Sequence, residues 1–364
     1  MLNQILLYCR AGFEKELAAE ITARASDYGI FGFAKAFEQS ALVLFTCHQE
    51  GEAERLMQSL SLSDLIFARQ WWLVVEALME LDTQDRITPI VQSYQAMMEN
   101  SIQADELVVE TPDSDDAKAL SPLCRKLAVP LRKALRDKGL LSQSALVKRD
   151  SWVLAVVFTK TNACFVCVAE KKRVSPNAMG ILRLKLPHDA PSRSTLKLEE
   201  AFHTFLTPEE QSALLNHEKT AVDLGACPGG WTYQLVKRNV YTYAVDHGKM
   251  AQSLLDSGLV NYCAEDGFHF KPPKGKKVDW LVCDMVESPQ RITQLISKWL
   301  TLDRCSHTIF NLKLPMKKRF AEVELCLGDI HKALKKQGIK YRLQAKQLYH
   351  DREEITVCVV TEKE

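Results

Sequence analysis

Hydrophobic and polar positions change their period along the chain, and the changes mark its parts. "ILLYCRAGFEKELAAEI" begins as a short apolar run, turns at Gly12 and continues with helical spacing, so a strand, a turn and an amphipathic helix are predicted. Apolar or alternating runs follow at "ALVLFTC" and "WWLVVEAL", which completes a small α+β pattern. The polar stretch "ETPDSDDAKAL" leads into "SPLCRKLAVPLRKALRDKG", predicted as a helix from near Ser121 with Pro122 in its first turn and Gly139 near its end. Pro130 predicts a break or kink inside it. Leu123, Leu127, Leu131 and Leu135 recur at i, i+4 and give this helix one apolar side. "DSWVLAVVFTKTNACFVCVAEKK" predicts two strands joined around Thr161 and Asn162. From Ala201 onward the pattern becomes α/β alternation, with strands predicted at "TAVDLGA", "YTYAVDH", "VDWLVCDM", "SHTIFNLKL" and "EITVCVV". Short buried strands alternating with helix-length segments predict a doubly wound sheet.

Charge sharpens these boundaries. Residues 1–118 carry 8 Lys/Arg against 20 Asp/Glu, residues 125–197 carry 16 against 4, and residues 198–364 carry 23 against 22. Three regions are therefore expected: an acidic α+β region at 1–118, a basic region at 119–190 and an α/β domain at 191–364. The basic density suggests a polyanionic partner, with Arg125, Lys126, Arg132, Lys133 and Arg136 on the helix and Lys171, Lys172 and Arg173 after the hairpin as candidate phosphate contacts. A basic helix and a basic loop flanking one hairpin predict a shared patch. Eleven cysteines fall without a regular spacing, and no apolar run is long enough for a membrane span, so a cytoplasmic protein without membrane contact is expected. Cys164 and Cys167 form the one C-x-x-C; three positions apart on a strand they face opposite ways, which predicts two core thiols and no metal.

"DLGACPGGWT" places glycines at a strand-to-helix turn, where the backbone can enter positive φ and a ligand can approach closely. The order Gly225, Cys227, Pro228, Gly229, Gly230, Trp231 lacks the second glycine of a dinucleotide fingerprint and the G-K-[ST] of a P-loop. Three acids stand at predicted strand ends: Asp246, Asp266 and Asp284. Asp246 lies 21 residues after Gly225, where a carboxylate receives ribose hydroxyls, and Asp266 is placed to accept from an exocyclic amine. A nucleoside ligand without a pyrophosphate fits all of these elements.

"DLGACPGGWT", "CDMVESP", "NLKLPMKKRF" and "DREEITV" together resemble the RNA 2′-O-ribose methyltransferases of the FtsJ/RrmJ class. With "YCRAGFEKEL" and the basic middle, the chain resembles the bacterial enzymes of this class that act on cytidine in 23S rRNA. The resemblance implies a Rossmann-like methyltransferase domain after a smaller α+β, THUMP-containing RNA-binding region. It also implies S-adenosyl-L-methionine as cofactor, 23S rRNA or a precursor particle as partner, a monomer, and no metal. It further implies a Lys-Asp-Lys-Glu tetrad. Carried over by motif, the tetrad is Lys197 in "SRSTLKLEEAF", Asp284, Lys313 in "FNLKLP", and a glutamate in "DREEITV". Glu353 and Glu354 both stand there, and Glu354 matches the acid placed directly before an apolar-x-apolar strand. Ser194, just before Lys197, joins the expected cofactor pocket.

The residue types suit methyl transfer to a hydroxyl. A ribose hydroxyl must lose its proton as it attacks, so a base is needed. Lysine at an ordinary pKa of about 10.4 is protonated, and Lys313 needs burial and the like charge of Lys197 to be depressed, against the opposite pull of Asp284. Amino-directed methyltransferases carry a [D/N]-P-P-[Y/F] run where this chain has "DMVESP". A 5-methylcytosine enzyme needs a nucleophilic cysteine, and Cys283, inside an apolar strand, reads as a core thiol. An RNA-binding protein with a silent methyltransferase fold is the other class, and the complete set of lysines and acids speaks against it.

Overall fold

The computed structural model describes residues 2–98, 103–143, 151–273 and 276–362, which divide into two units, Met1–Leu182 and Arg183–Glu364. Lys148, Arg149 and Asp150 of the basic stretch lie outside the described residues.

The first unit runs β1 (Gln4–Tyr8), α1 (Glu14–Asp27), β2 (Gly32–Phe37), β3 (Leu42–Cys47), α2 (Glu52–Ser59), β4 (Gln70–Leu78), α3 (Ile87–Met98), β5 (Ala104–Glu110), α4 (Asp115–Lys118), α5 (Ser121–Asp137), β6 (Trp152–Lys160) and β7 (Ala163–Glu170). Its seven strands form one sheet in the order β2-β3-β1-β4-β7-β6-β5. The residues on either side of position 118 thus build a single sheet, with β6 and β7 inserted between β4 and β5. Val153 to Phe158 and Ala163 to Ala169 are buried, as near-continuous apolar runs inside a sheet should be. Cys164 and Cys167 are both buried on β7, and all eleven cysteines are free thiols. Helix α5 runs on through Pro130, burying Cys124, Leu131 and Leu135, so the proline does not divide it.

The second unit contains α6 (Thr195–Phe205), α7 (Pro208–Leu214), β8 (Thr220–Leu224), α8 (Gly230–Val236), β9 (Tyr241–Val245), α9 (Gln252–Leu255), β10 (Val260–Cys263), β11 (Val278–Cys283), α10 (Pro289–Thr301), β12 (Cys305–Lys313), α11 (Arg319–Lys336), β13 (Tyr341–Lys346) and β14 (Glu354–Thr361). The sheet order is β10-β9-β8-β11-β12-β14-β13. β10, β9, β8, β11 and β12 are parallel, whereas β14 runs antiparallel to β12 and β13. The chain leaves β8 toward β9 and returns to β8's other side as β11, so the winding reverses between β8 and β11. Ligands collect beyond the carboxyl ends of strands at such a point. One side of the sheet is closed by a core in which Leu198, Phe202 and Phe205 of α6 meet Trp231, Leu235, Trp280 and Ile309. That packing fixes the start of α6 against the strand ends.

Candidate active site

Four charged side chains meet where β11, β12 and β14 end or begin beside α6. Lys313, the last residue of β12, pairs across the antiparallel ladder with Glu354, the first residue of β14. Asp284 follows β11, whose Cys283 is aligned with Phe310 of β12. Lys197 lies in the first turn of α6 and reaches Asp284 at 3.3 Å. Lys313 stands 3.6 Å from the same carboxylate, and both lysines contact Glu354 directly. The structure gathers Glu354, whose side chain is 4% exposed, and leaves Glu353 outside, 64% exposed and paired with Arg319. Two cations and two anions balance in a partly buried cluster, which limits the desolvation cost of each.

Burial moves Lys313 below the ordinary lysine pKa, and the Lys197 charge adds to the shift while Asp284 and Asp351 oppose it. The competition foreseen between burial and Asp284 therefore resolves as a lowered lysine pKa. Cys283 is fully buried and burial pushes its thiol up to about 12, the reverse of an activated nucleophile.

The turn after β8 lies beside this cluster. Gly225 and Gly229 have φ of 78° and 118°, and the Cys227–Pro228 peptide is cis. Protein atoms, rather than open space, occupy the room these glycines leave. A Cβ on Gly225 would stand 2.7 Å from Met285, one on Gly229 would stand 2.2 Å from Leu254, and one on Gly230 would meet the Ser194 hydroxyl at 2.0 Å. Glycine is required here for the close approach of neighbouring segments. Ser194 is accordingly packed against the start of α8, with its hydroxyl 2.7 Å from that of Ser192. Trp231 is 2% exposed in the core against α6.

Asp246 follows β9, and its two oxygens accept the N–H groups of Cys227 and Gly248, each at 2.9 Å. A carboxylate has about four acceptor sites, so both oxygens retain capacity for hydroxyls. Asp266 is exposed, accepts the Phe268 N–H at 2.8 Å and lies 2.9 Å from His269, contacts that hold its carboxyl below the usual range.

Several residues at the site escaped the motif reading. Asp223 on β8 is buried, accepts the Thr232 hydroxyl at 2.6 Å, and has its other oxygen without a partner among the described residues. Burial raises its carboxyl to about 7. Its signal was present, since it opens the same glycine-rich stretch. Asn311 donates to Asp284 at 2.8 Å and sits opposite Thr356 in the ladder. Two residues before Lys313 on one strand, it shares that lysine's face. Met285 lies against both Gly225 and Gly267.

The basic residues of the first unit do not form one patch. Ala169 pairs with Val153, which lines the cavity that holds Lys171 and Lys172, so Cys167 shares that face, whereas Cys164, three positions before it, faces the other side within electrostatic reach of Cys124 on α5. Lys171 and Lys172 line a cavity of about 500 Å³ together with Glu106, Val108 and Glu110. The α5 cations and the 171–173 segment therefore occupy opposite faces of the sheet. Lys171 pairs with Glu106, Lys172 with Glu170 at 3.0 Å, and Arg173 with Glu170 at 3.3 Å while donating to the Met57 carbonyl. Arg125, Lys126, Arg132 and Lys133 are exposed along α5; Arg136 is half-buried and donates to the Ser142 carbonyl. Among the described residues no group of His, Cys, Asp and Glu is placed to hold a metal ion, and no helix is long and apolar enough to cross a membrane.

Three family models match the chain. Residues 2–72 match the RlmM ferredoxin-like domain, residues 85–170 match "Ribosomal RNA large subunit methyltransferase M, N-terminal", and residues 190–337 match the FtsJ-like methyltransferase. The chain is 55% identical to ribosomal RNA large subunit methyltransferase M of Mannheimia succiniciproducens over 364 residues, which is 100% of both chains. It is 55% identical to the protein of the same name from Pasteurella multocida over 360 residues, 98% of each. Among solved structures, TrmN from Thermus thermophilus aligns over 99% of both chains at 16% identity with a TM-score of 0.35.

Proposed function

The chain belongs to the ribosomal RNA large subunit methyltransferase M family, and from that membership we propose that it methylates the 2′-oxygen of a cytidine ribose in 23S rRNA or its precursor particle. The observation that carries this reading is the meeting of Lys197, Asp284, Lys313 and Glu354 at the end of the sheet. A weak oxygen nucleophile needs an acceptor for its proton, and Lys313 is the base because burial makes its free amine accessible nearer neutral pH. Asp284 and Glu354 hold that amine in place. Lys197, touching the same two carboxylates, sets a fixed positive charge beside the oxygen as negative charge develops on it. Alignment of the hydroxyl with the methyl donor supplies much of the remaining rate.

S-adenosylmethionine, when bound, supplies a methyl group activated by its sulfonium. The residues present fit it. Asp223 offers a buried carboxylate oxygen without a partner to a cationic amine, and Asp246 keeps acceptor sites for ribose hydroxyls. Asp266 stands one strand further for the base. The exposed cations of α5 are assigned to rRNA phosphates, and the enzyme is read as a cytoplasmic monomer because its substrate needs neither a membrane nor a partner chain. Base methylation through a cysteine is disfavoured by the buried, raised Cys283 thiol.

The test is transfer of labelled methyl groups to 23S rRNA from cells lacking the protein. Wild type should label it and Lys197→Ala should not; equal labelling by both would refute the role of the tetrad.

A further inference from the structure

Behind the tetrad a line of hydrogen bonds runs into the core. Asp284 accepts from the Asn311 amide at 2.8 Å, the Asn311 oxygen lies 2.8 Å from the Thr356 hydroxyl, and that hydroxyl lies 2.9 Å from Asp351 Oδ2. Asn311, Thr356 and Asp351 are each 0% exposed. Asp351 Oδ2 also accepts the Leu348 N–H at 3.0 Å, and Oδ1 has no partner among the described residues.

Counting hydrogens settles the direction of the line. Asp284, an anion between two ammonium groups, requires Asn311 to present its NH₂, so the Asn311 oxygen must be an acceptor toward Thr356. One Thr356 hydrogen cannot serve both oxygens, so for both contacts to be hydrogen bonds it goes to Asn311. The Asp351–Thr356 contact is a hydrogen bond only if Asp351 donates. One atom must therefore accept from Leu348 and donate to Thr356, and a protonated carboxyl oxygen does both. A neutral acid also removes the cost of a buried, half-satisfied anion.

We propose that Asp351 is a positioning residue for methyl transfer, holding Asp284 toward both lysines through Thr356 and Asn311, and that it does so in its acid form. This rests on the tetrad reading above. The charges facing Asp351 are Lys197 and Glu200 from α6, Lys313 from β12, and, beyond Asn311 and Thr356, Asp284 and Glu354; His350 beside it is engaged with Glu200 at 2.7 Å. Burial keeps the proton on up to about pH 7, opposed by the Leu348 N–H, Lys197 and the Thr356 hydroxyl and reinforced by Glu200. Once Asp351 ionises, the Thr356 hydrogen turns away from Asn311, and the new negative charge raises Lys313 again.

Single-turnover methyl transfer across pH tests this with Thr356→Val, which keeps the shape and removes the hydroxyl, and with Thr356→Ser, which keeps the hydroxyl. Thr356→Val should fall roughly 5- to 100-fold at pH 6, the scale of the two neutral hydrogen bonds its hydroxyl makes, with cofactor affinity unchanged. Thr356→Ser should stay near wild type. Asp351→Asn cannot both accept and donate at one atom, so it should match Thr356→Val, and the double variant should be no slower than either. The wild-type advantage over Thr356→Val should shrink as pH rises through the ionisation of Asp351. An advantage constant with pH, or a Thr356→Val enzyme at wild-type rate, would overturn the proposal. The carbon-13 resonance of the Asp351 carboxyl gives a readout independent of turnover: it should titrate near 7 in wild type and higher in Thr356→Val, where the ionised carboxylate has lost the Thr356 hydroxyl. If wild type places no methyl on ribose, the functional reading fails while this titration still decides the role of Asp351.

Discussion

Removing the Lys313 amine should separate chemistry from binding. Lys313 is 28% exposed and touches Asp284 and Glu354, and Lys197 contacts the same two carboxylates. In Lys313→Ala one cation therefore remains for two anions, which keeps the cluster partly neutralised and the fold intact. The lost base is worth roughly 10²- to 10⁴-fold in rate. At 1.36 kcal/mol per decade this is about 3 to 5 kcal/mol of barrier. Misplacement of the hydroxyl adds to it. The assay is single-turnover transfer from saturating S-adenosylmethionine to cognate rRNA, with cofactor affinity measured in parallel by calorimetry. Affinity should hold, because the cofactor's proposed contacts are at β8, β9 and β10. The wild-type rate should climb with pH toward a depressed lysine pKa, and that limb should be missing in Lys313→Ala. Lys313→Arg should not rescue, since a guanidinium stays protonated. A Lys313→Ala rate near wild type would refute the assignment of the base.

Further consequences follow at other positions. Asp246→Ala should weaken S-adenosylmethionine binding by roughly 10- to 100-fold in calorimetry, the scale of hydrogen bonds to a carboxylate, and unchanged affinity would remove Asp246 from the cofactor site. Reversing Arg132 and Lys133 to Glu should weaken RNA binding and flatten its dependence on salt, whereas an unaltered slope would leave these cations merely solvated. Asp223, raised to about 7 when folded, binds its proton more tightly in the native than in the unfolded chain. The stability it lends is complete below the unfolded pKa near 4 and is lost as pH rises to about 7, on the order of 4 kcal/mol. Urea unfolding should find Asp223→Asn gaining on wild type between pH 5 and pH 8, and a constant difference would contradict the raised carboxyl.

What the sequence disclosed depends on how local each feature is. The strands β8, β9, β11, β12 and β14 are apolar runs that no helix period fits, and all five were predicted. The strands β2, β5 and β13 were missed because they are edges, half-exposed and carrying Lys35, Glu106 and Arg342 inside them. Lys197, Asp284, Lys313 and Glu354 were legible through motifs, and the β12–β14 register explains why Glu354 meets Lys313. The ties behind them were not legible. Asn311, Thr356 and Asp351 acquire meaning only when a cross-strand pair places one residue beside another 45 positions away. The basic patch misled for the same reason: α5 and Lys171–Arg173 are near in sequence, yet strand alternation puts a sheet between them.

The position of the transferred methyl tests the central claim most directly. Alkali cleaves RNA through the free 2′-hydroxyl, and a methyl on that oxygen blocks cleavage at its own linkage. Labelled 23S rRNA from a wild-type reaction should therefore yield its radioactivity in an alkali-stable dinucleotide whose first nucleoside is a 2′-O-methylcytidine by mass. Label released in mononucleotides would mean that the methyl sits on a base, and the proposed reaction at the Lys313 amine would be contradicted.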